Sequence, residues 1–292
     1  MFLRIFSLFL LVLLTFASVQ GQTLRWSASD FLSDELVETL RGWAPAEHTL
    51  SLQRQGSLLS HQAWDAEELD AMVILGGEET ADVYGEEAVV FTVAYVVPRI
   101  IVNSGNALEE VSVELLNRIF GSASANPVVR WDQISGIEDD RLRGLQPLAQ
   151  SINEHLAAEL FRQRILGGDD FRANVQRLEG EDVLAAVADS TEAIAVVGED
   201  IEGVSGIRVL PVRAPGENFG FVPTPENVQV GDYPFALPLQ LVVRRATVGE
   251  QRELLENLLG DEAVSYWRKH GWEEAPRTER AGNLRRLAEV DG

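Results

Sequence analysis

The sequence predicts an α/β fold built around a largely parallel sheet. Short apolar runs alternate with segments of helical period through most of the chain, the pattern of layered strands and helices. The 292 residues are enough for one large domain or for two lobes of ~100–150 residues each. The long apolar stretch 89–102 is broken by Pro98. A proline in mid-run points to two strands, or one bent strand, as where a chain passes between lobes.

Taken in order, residues 1–21 stand outside the fold. Arg4 supplies a positive start, residues 5–17 are almost unbrokenly apolar, and Val19, Gln20 and Gly21 border a small-residue cut site. This is the pattern of a secretory signal peptide, shorter than a comfortable span of ~20 residues. The alternative is an uncleaved membrane anchor. Residues 24–26 form a candidate first strand. A helix is expected over 30–41, with Leu32, Leu36 and Leu40 on one stripe and Gly42 past its end. Residues 69–75 read as a buried strand. A short helix over 112–120 closes at Gly121, and a stronger one over 151–166 carries Ile152, Leu156, Leu160 and Phe161 on one side. Residues 182–188 are helical, 193–197 and 237–243 are strands, and 250–259 and 262–270 are the closing helices. Residues 213–231 are rich in Pro, Gly and Asn and read as a surface connection. The charged tail after Trp272 is expected to fray or lie on the surface.

Composition narrows the function. At 46% hydrophobic and 24% charged the chain is ordinary for a globular protein. It has no cysteine, which excludes disulfides, thiolate metal sites and a cysteine nucleophile. An exported protein without cysteine suits a bacterial periplasm. The net charge of -22 disfavours nucleic acid, whose phosphates need a basic face. Lys269 is the sole lysine, so arginine carries nearly all the positive charge. His48, His61, His155 and His270 are scattered and make no metal-ligand pattern. No nucleophile elbow, Walker loop or dinucleotide fingerprint occurs, so neither an enzyme nor a cofactor is expected. Acidic pairs such as Glu78-Glu79 and Asp139-Asp140 read as solvated surface, with no EF-hand spacing among them.

Several segments together carry a resemblance. Residues 100–121 run Ile-Ile-Val-Asn-Ser-Gly-Asn-Ala-Leu-Glu-Glu-Val-Ser-Val-Glu-Leu-Leu-Asn-Arg-Ile-Phe-Gly, an Asn-x-x-Asn pair after a strand and then a short helix ending in Ile-Phe-Gly. Trp131 follows. Residues 183–198 run into Ala-Ile-Ala-Val-Val-Gly. Residues 223–239 read Pro-Thr-Pro-Glu-Asn-Val-Gln-Val-Gly-Asp-Tyr-Pro-Phe-Ala-Leu-Pro-Leu, and the last helices reach Gly271-Trp272. In order and spacing these segments resemble the phosphate-type periplasmic solute-binding proteins of ABC transporters, from about residue 24 to 272.

The resemblance implies a periplasmic-binding-protein-like fold of type II: two α/β lobes joined by two hinge-crossing strands, with the ligand held between them. By analogy, one lobe comprises 22–94 and 233–292 and the other 95–232. Such clefts close on their ligand by hinge motion. The implied function is noncovalent capture of a small oxyanion, phosphate by family default, by a monomer that hands it to an ABC-type permease. The alternative is a module with an eroded pocket that serves as a sensor or a protein-docking component.

Anion binding calls for hydroxyls and free N–H groups at helix N-termini. The segment Trp26-Ser27-Ala28-Ser29-Asp30 matches the family's first ligand loop. It offers the hydroxyls of Ser27 and Ser29 and the backbone of Ala28 and Ser29, or else Ser29 is only a helix cap. Here alanine stands for a family glycine, and Asp30 adds a negative charge. The second candidate is Ser151 with Asn153, where Ser151 and Glu154 have capping-box spacing. An ordinary capped helix is the competing reading. The family's Ser-Gly-Thr is absent here, residues 147–150 contain no arginine, and Arg141 and Arg143 stand further upstream. At 74–77, Ile-Leu-Gly-Gly replaces a polar strand end, leaving Gly76 and Gly77 as backbone donors or as a plain turn.

Overall fold

The computed structural model describes residues 22–28, 32–77, 80–137, 142–151, 156–199, 201 and 203–290, save the side chain of Ser57. The expected signal peptide lies outside them. The chain opens with β1 (Gln22–Ala28), α1 (Asp34–Trp43), β2 (His48–Arg54), α2 (Gly56–Asp65), β3 (Ala71–Leu75), α3 (Thr80–Tyr84) and β4 (Ala88–Val96). Helix α1 starts at Asp34, later than the sequence predicts. Ser33 is its cap, with Oγ accepting from Leu36 N at 3.2 Å. Gly42 lies inside the helix rather than past it, because the cap falls at Ala44.

Val97 and Pro98 separate β4 from β5 (Arg99–Asn103), so the interrupted apolar run is two strands. Then follow β6 (Val111–Ser112), α4 (Val113–Phe120), β7 (Gln146–Gln150), α5 (Ala157–Ile165), β8 (Gln176–Leu178), α6 (Gly180–Asp189), β9 (Ala193–Val197), β10 (Ile207–Val209), β11 (Val212–Arg213) and α7 (Pro225–Gln229). Ser112 caps α4, whose Leu116, Ile119 and Phe120 are buried, as their spacing predicts. The chain returns through β12 (Leu237–Arg244), α8 (Arg252–Leu259), α9 (Val264–Lys269), β13 (Glu273–Glu274) and α10 (Arg277–Glu289).

Two sheets result. One has the order β13-β4-β12-β3-β1-β2 and the other β10-β5-β9-β7-β8. Each has its own apolar cluster, around Trp26, Leu40, Phe91 and Trp267 in the first lobe and Phe120, Trp131 and Phe161 in the second, where Tyr233 of the returning crossing also packs. The sheets are mixed rather than largely parallel, and the crossings explain why. Strand β12 comes back from the second lobe and enters the first sheet from the hinge end, so it runs antiparallel to β3 and β4. Strand β5 enters the second sheet from the same end and runs antiparallel to β9. The strands within each lobe's own β-α-β units stay parallel: β1 with β2 and β3, and β7 with β8 and β9.

The tail after Trp272 does not fray. Strand β13 pairs with the edge of β4, and α10 lies against that edge. Asn283 Nδ2 donates to Thr92 O at 2.8 Å and Arg286 Nη1 to Val90 O at 3.1 Å. These bonds satisfy edge carbonyls that would otherwise meet only water. Among the described residues no helix is long and apolar enough to cross a membrane, and no group of three metal-ligating side chains occurs.

Candidate functional site

The register fixes where a ligand site belongs. Leu239 of β12 pairs with both Leu75 at the end of β3 and Ala94 near the end of β4. The C-terminal ends of β3 and β4 therefore share one edge of the first sheet, and the chain leaves that edge for the second lobe. In the second sheet Arg99, the first residue of β5, pairs with Val197, the last of β9. Both sheets thus turn the C-terminal ends of their parallel strands, and the helix starts that follow them, toward the crossings. In open α/β sheets that is the place for ligands.

The crossings are tied to each other. Tyr233, fully buried, donates its hydroxyl to Pro98 O, and burial raises its pKa. Arg99 forms an ion pair with Glu273 of the first lobe, with 6% and 12% of the two side chains exposed, and donates to Gly198 O at 2.9 Å. Helix α5 also bridges the lobes: Phe161 and Ile165 pack in the second lobe's cluster, whereas Leu160 packs in the first lobe's. Arg164 follows four residues after Leu160 on that same helix stripe.

Between the lobes lies a cavity of about 790 Å³. The first lobe contributes Gly77, Thr80 and Val83, and the second contributes Arg164, Gln229 and Val230. Gln240 of β12 lines it beside Gly77 and donates Nε2 to Gly77 O at 3.3 Å. That bond fixes the amide's orientation, because a flipped Gln240 would set oxygen against oxygen. Its Oε1 is buried without a hydrogen-bond partner. On the cavity wall Tyr95 donates to Glu279 Oε2 at 2.8 Å. Burial raises the pKa of both groups, and the bonds from Tyr95 and Thr92 only partly offset this for Glu279.

The residues singled out in the sequence fall in different places. Strand β1 runs through Ser27 to Ala28, so these two are not loop residues. Trp26 and Ala28 face the first lobe's cluster, and alternation turns Ser27 to the other face. There its fully buried Oγ meets Ser60 Oγ of α2 at 2.6 Å. Ala28 is buried, pairs with Arg54 and Val73, and its carbonyl accepts from Gln55 N. Ser29 and Asn153 lie outside the described residues. Ser151 is not a helix cap. It follows β7, and its N–H donates to Leu178 O at 2.8 Å, prolonging the strand pairing. Helix α5 starts at Ala157 after Leu156, with no side-chain cap. Ser151 is nonetheless at the hinge end of the second sheet. Arg143 is not: its N–H meets Glu192, just before β9, at the far end of the sheet. Arg141 lies outside the described residues.

Gly76 and Gly77 follow β3 as irregular backbone. Gly76 N donates to Pro238 O and Gly77 N to Thr80 Oγ1, so neither N–H is free for a ligand. A Cβ at 76 would lie 1.7 Å from Gln240 Oε1, so a larger residue there would push the Gln240 amide aside. The sequence reading missed Arg164, Thr80 and Gln240. Arg164 carried a signal, since 156, 160 and 164 share one helix stripe. Gln240 inside an apolar strand was another.

No protein-family model matches the sequence, and no curated protein matches it. Solved structures do. A possible phosphate-binding protein from Planctomyces limnophilus superposes with a TM-score of 0.73 at 19% identity, over 93% of this chain and 99% of that one. PstS from Borrelia burgdorferi gives 0.69 at 12% identity, over 87% and 99%. An ABC-type phosphate transport receptor from Vibrio cholerae gives 0.57 at 16%, over 87% and 100%. The fold is that of the two-lobed phosphate-type solute-binding proteins.

Proposed function

We propose that this chain is an exported solute-binding protein that captures a small oxyanion between its lobes, noncovalently and without a cofactor, and hands it to an ABC-type permease. The observation that carries this reading is the arrangement at the crossings. The segment after β3, the crossings and helices α5 and α7 of the second lobe line one interlobe cavity, and proteins of the same fold are described as phosphate-binding. The lobes are taken as 22–94 with 233–292, and 95–232. Residues 1–21 act as a signal peptide cleaved near Gly21, which puts the mature monomer in the periplasm or outside the cell. Ser29, Ser151 and Asn153 are the proposed ligand contacts at the strand ends, with Ser27 and Ala28 supporting the first loop from inside β1. Inorganic phosphate is the family default.

A docking or sensor module is the second reading. Leu58 and Leu59, 70% and 51% exposed at the start of α2, favour it, because neighbouring exposed leucines mark contact surfaces more often than solvated ones. Isothermal titration of the mature chain against a panel of oxyanions separates the two. Binding of any member at one site per chain supports capture. No binding across the panel overturns it and leaves docking in the lead.

A further inference from the structure

We infer that the interlobe cavity is built for an organic anion, one charged oxyanion head carried on an apolar body, rather than for a bare inorganic oxyanion. The inference rests on the capture reading above and names the ligand class of that same site.

Size is the first argument. At about 790 Å³ the cavity falls in the ~300–1,000 Å³ range of pockets for organic ligands. A tetrahedral oxyanion occupies a small part of such a space and would leave the rest as water. Charge is the second. Among the described residues lining the cavity, Arg164 is the one charged side chain, and it is exposed with no hydrogen-bond or ion-pair partner. A single guanidinium fork matches one carboxylate or one phosphate face. A free dianion, in a chain of net charge -22, calls for more positive charge than this wall supplies.

The apolar lining is the third argument. Val83 of the first lobe and Val230 of the second are 69% and 68% exposed, and both line the cavity. With Pro234 and Leu237 from the second crossing they give the cavity an apolar lining from both lobes. Such walls gain nothing from an inorganic ion and gain by covering a hydrocarbon or aromatic body. Gln240 adds a polar feature deeper in the wall. Its Nε2 is spent on Gly77 O, and its buried Oε1 lacks a donor.

The test is titration of the mature full-length chain with phenylphosphonate, benzoate, inorganic phosphate and sulfate, in the same buffer. At least one of the two organic anions is expected to bind about tenfold or more tightly than phosphate. Arg164→Gln should weaken that binding at least about tenfold, since a charge-assisted bond is lost. Val230→Asp should weaken organic-anion binding too. Both positions are exposed, so neither change threatens the fold, and circular dichroism of each variant checks this. The phosphonate and the carboxylate arms distinguish the head group. If phosphate or sulfate binds as tightly as either organic anion, the inference falls and the capture reading stands. Organic-anion binding that ignores both substitutions also overturns it, since the site then lies elsewhere. If no anion binds, the capture reading itself falls.

Discussion

Ser27 is where residue identity and structural role separate most clearly. A serine beside a strand end is compatible with ligand binding, but whether its hydroxyl reaches solute depends on strand alternation. One more residue of strand turns it inward to Ser60, which also donates to Gly56 O at 2.8 Å. Ser27→Ala should therefore lower stability by about 0.5–1.5 kcal/mol, the net worth of one hydrogen bond, since Ser60 keeps its bond to Gly56 O, and leave oxyanion affinity unchanged. Urea melts beside titration check both halves, and a loss of affinity without a loss of stability would return Ser27 to the ligand. Glu279 gives a second prediction at this scale. Burial raises its pKa above the ordinary 4.5, so the folded state holds the proton more tightly than the unfolded one. The resulting contribution favours the folded protein at acid pH and is lost as pH rises from about 4.5 through the raised value. Glu279→Gln keeps an acceptor for the Tyr95 hydroxyl without that charge. It is expected to melt higher than the parent at pH 8, with the difference closing toward pH 4; a gap that widens on acidification would refute the sign. None of this was legible in the sequence, because the partners Ser60 and Tyr95 come from elements distant along the chain.

Elements were legible in proportion to how far their own periodicity carried them. The split at Pro98 followed from one proline in mid-run; Pro147 and Pro238 are tolerated in β7 and β12 because each is the second residue of its strand. Helix α4 followed from its run over 112–120 and the glycine that closes it at 121. Strands β6, β11 and β13 span two residues each, too short for any alternation to show; β13 depends on its pairing with β4, and β6 and β11 on pairing with each other. Helix α10 was hidden differently. Its sequence is mostly charged, and among its residues the buried ones are Asn283 and Leu287, so the amphipathic signal is weak. It is held by polar bonds to the exposed carbonyls of β4, which no single-segment pattern reveals. The crossings behave as one element as well. Tyr233→Phe removes the hydroxyl that closes them, leaving the Pro98 carbonyl buried without its donor, and should cost about 1–3 kcal/mol. Glu273→Ala should cost more, about 3–5 kcal/mol, because it leaves the buried Arg99 guanidinium without its countercharge. Chemical denaturation of the two single variants orders these effects, and the ordering fails if Tyr233→Phe proves the more damaging.

At the scale of the whole molecule, two long-range forces act against each other. Apolar contact draws the lobes together, since Leu160 leaves its own lobe's cluster to pack in the other, and the crossings are pinned by Tyr233 and Arg99. Charge pushes the surface apart: 46 acidic residues face 24 basic ones, and the excess is spread over both lobes. Ion pairs such as Lys269 with Glu35 sit at the surface, where each contributes little and fades with salt. Repulsion among the unpaired carboxylates fades with salt as well, and there are more of them than of pairs. The balance predicts that sodium chloride stabilises this protein. The melting temperature should climb steeply as the Debye length shrinks from ~30 Å at about 0.01 M toward ~10 Å at about 0.1 M, and level off near 1 M where it reaches ~3 Å. A neutral osmolyte at matched osmolality separates screening from general surface exclusion, because it leaves the charges unscreened. A melting temperature that stays flat or falls with salt would mean that the ion pairs outweigh the repulsion. The acidic surface would then be organised rather than merely solvated. The same screening bears on capture, since a field of this sign holds anions away at low salt and releases them to the cavity as salt rises.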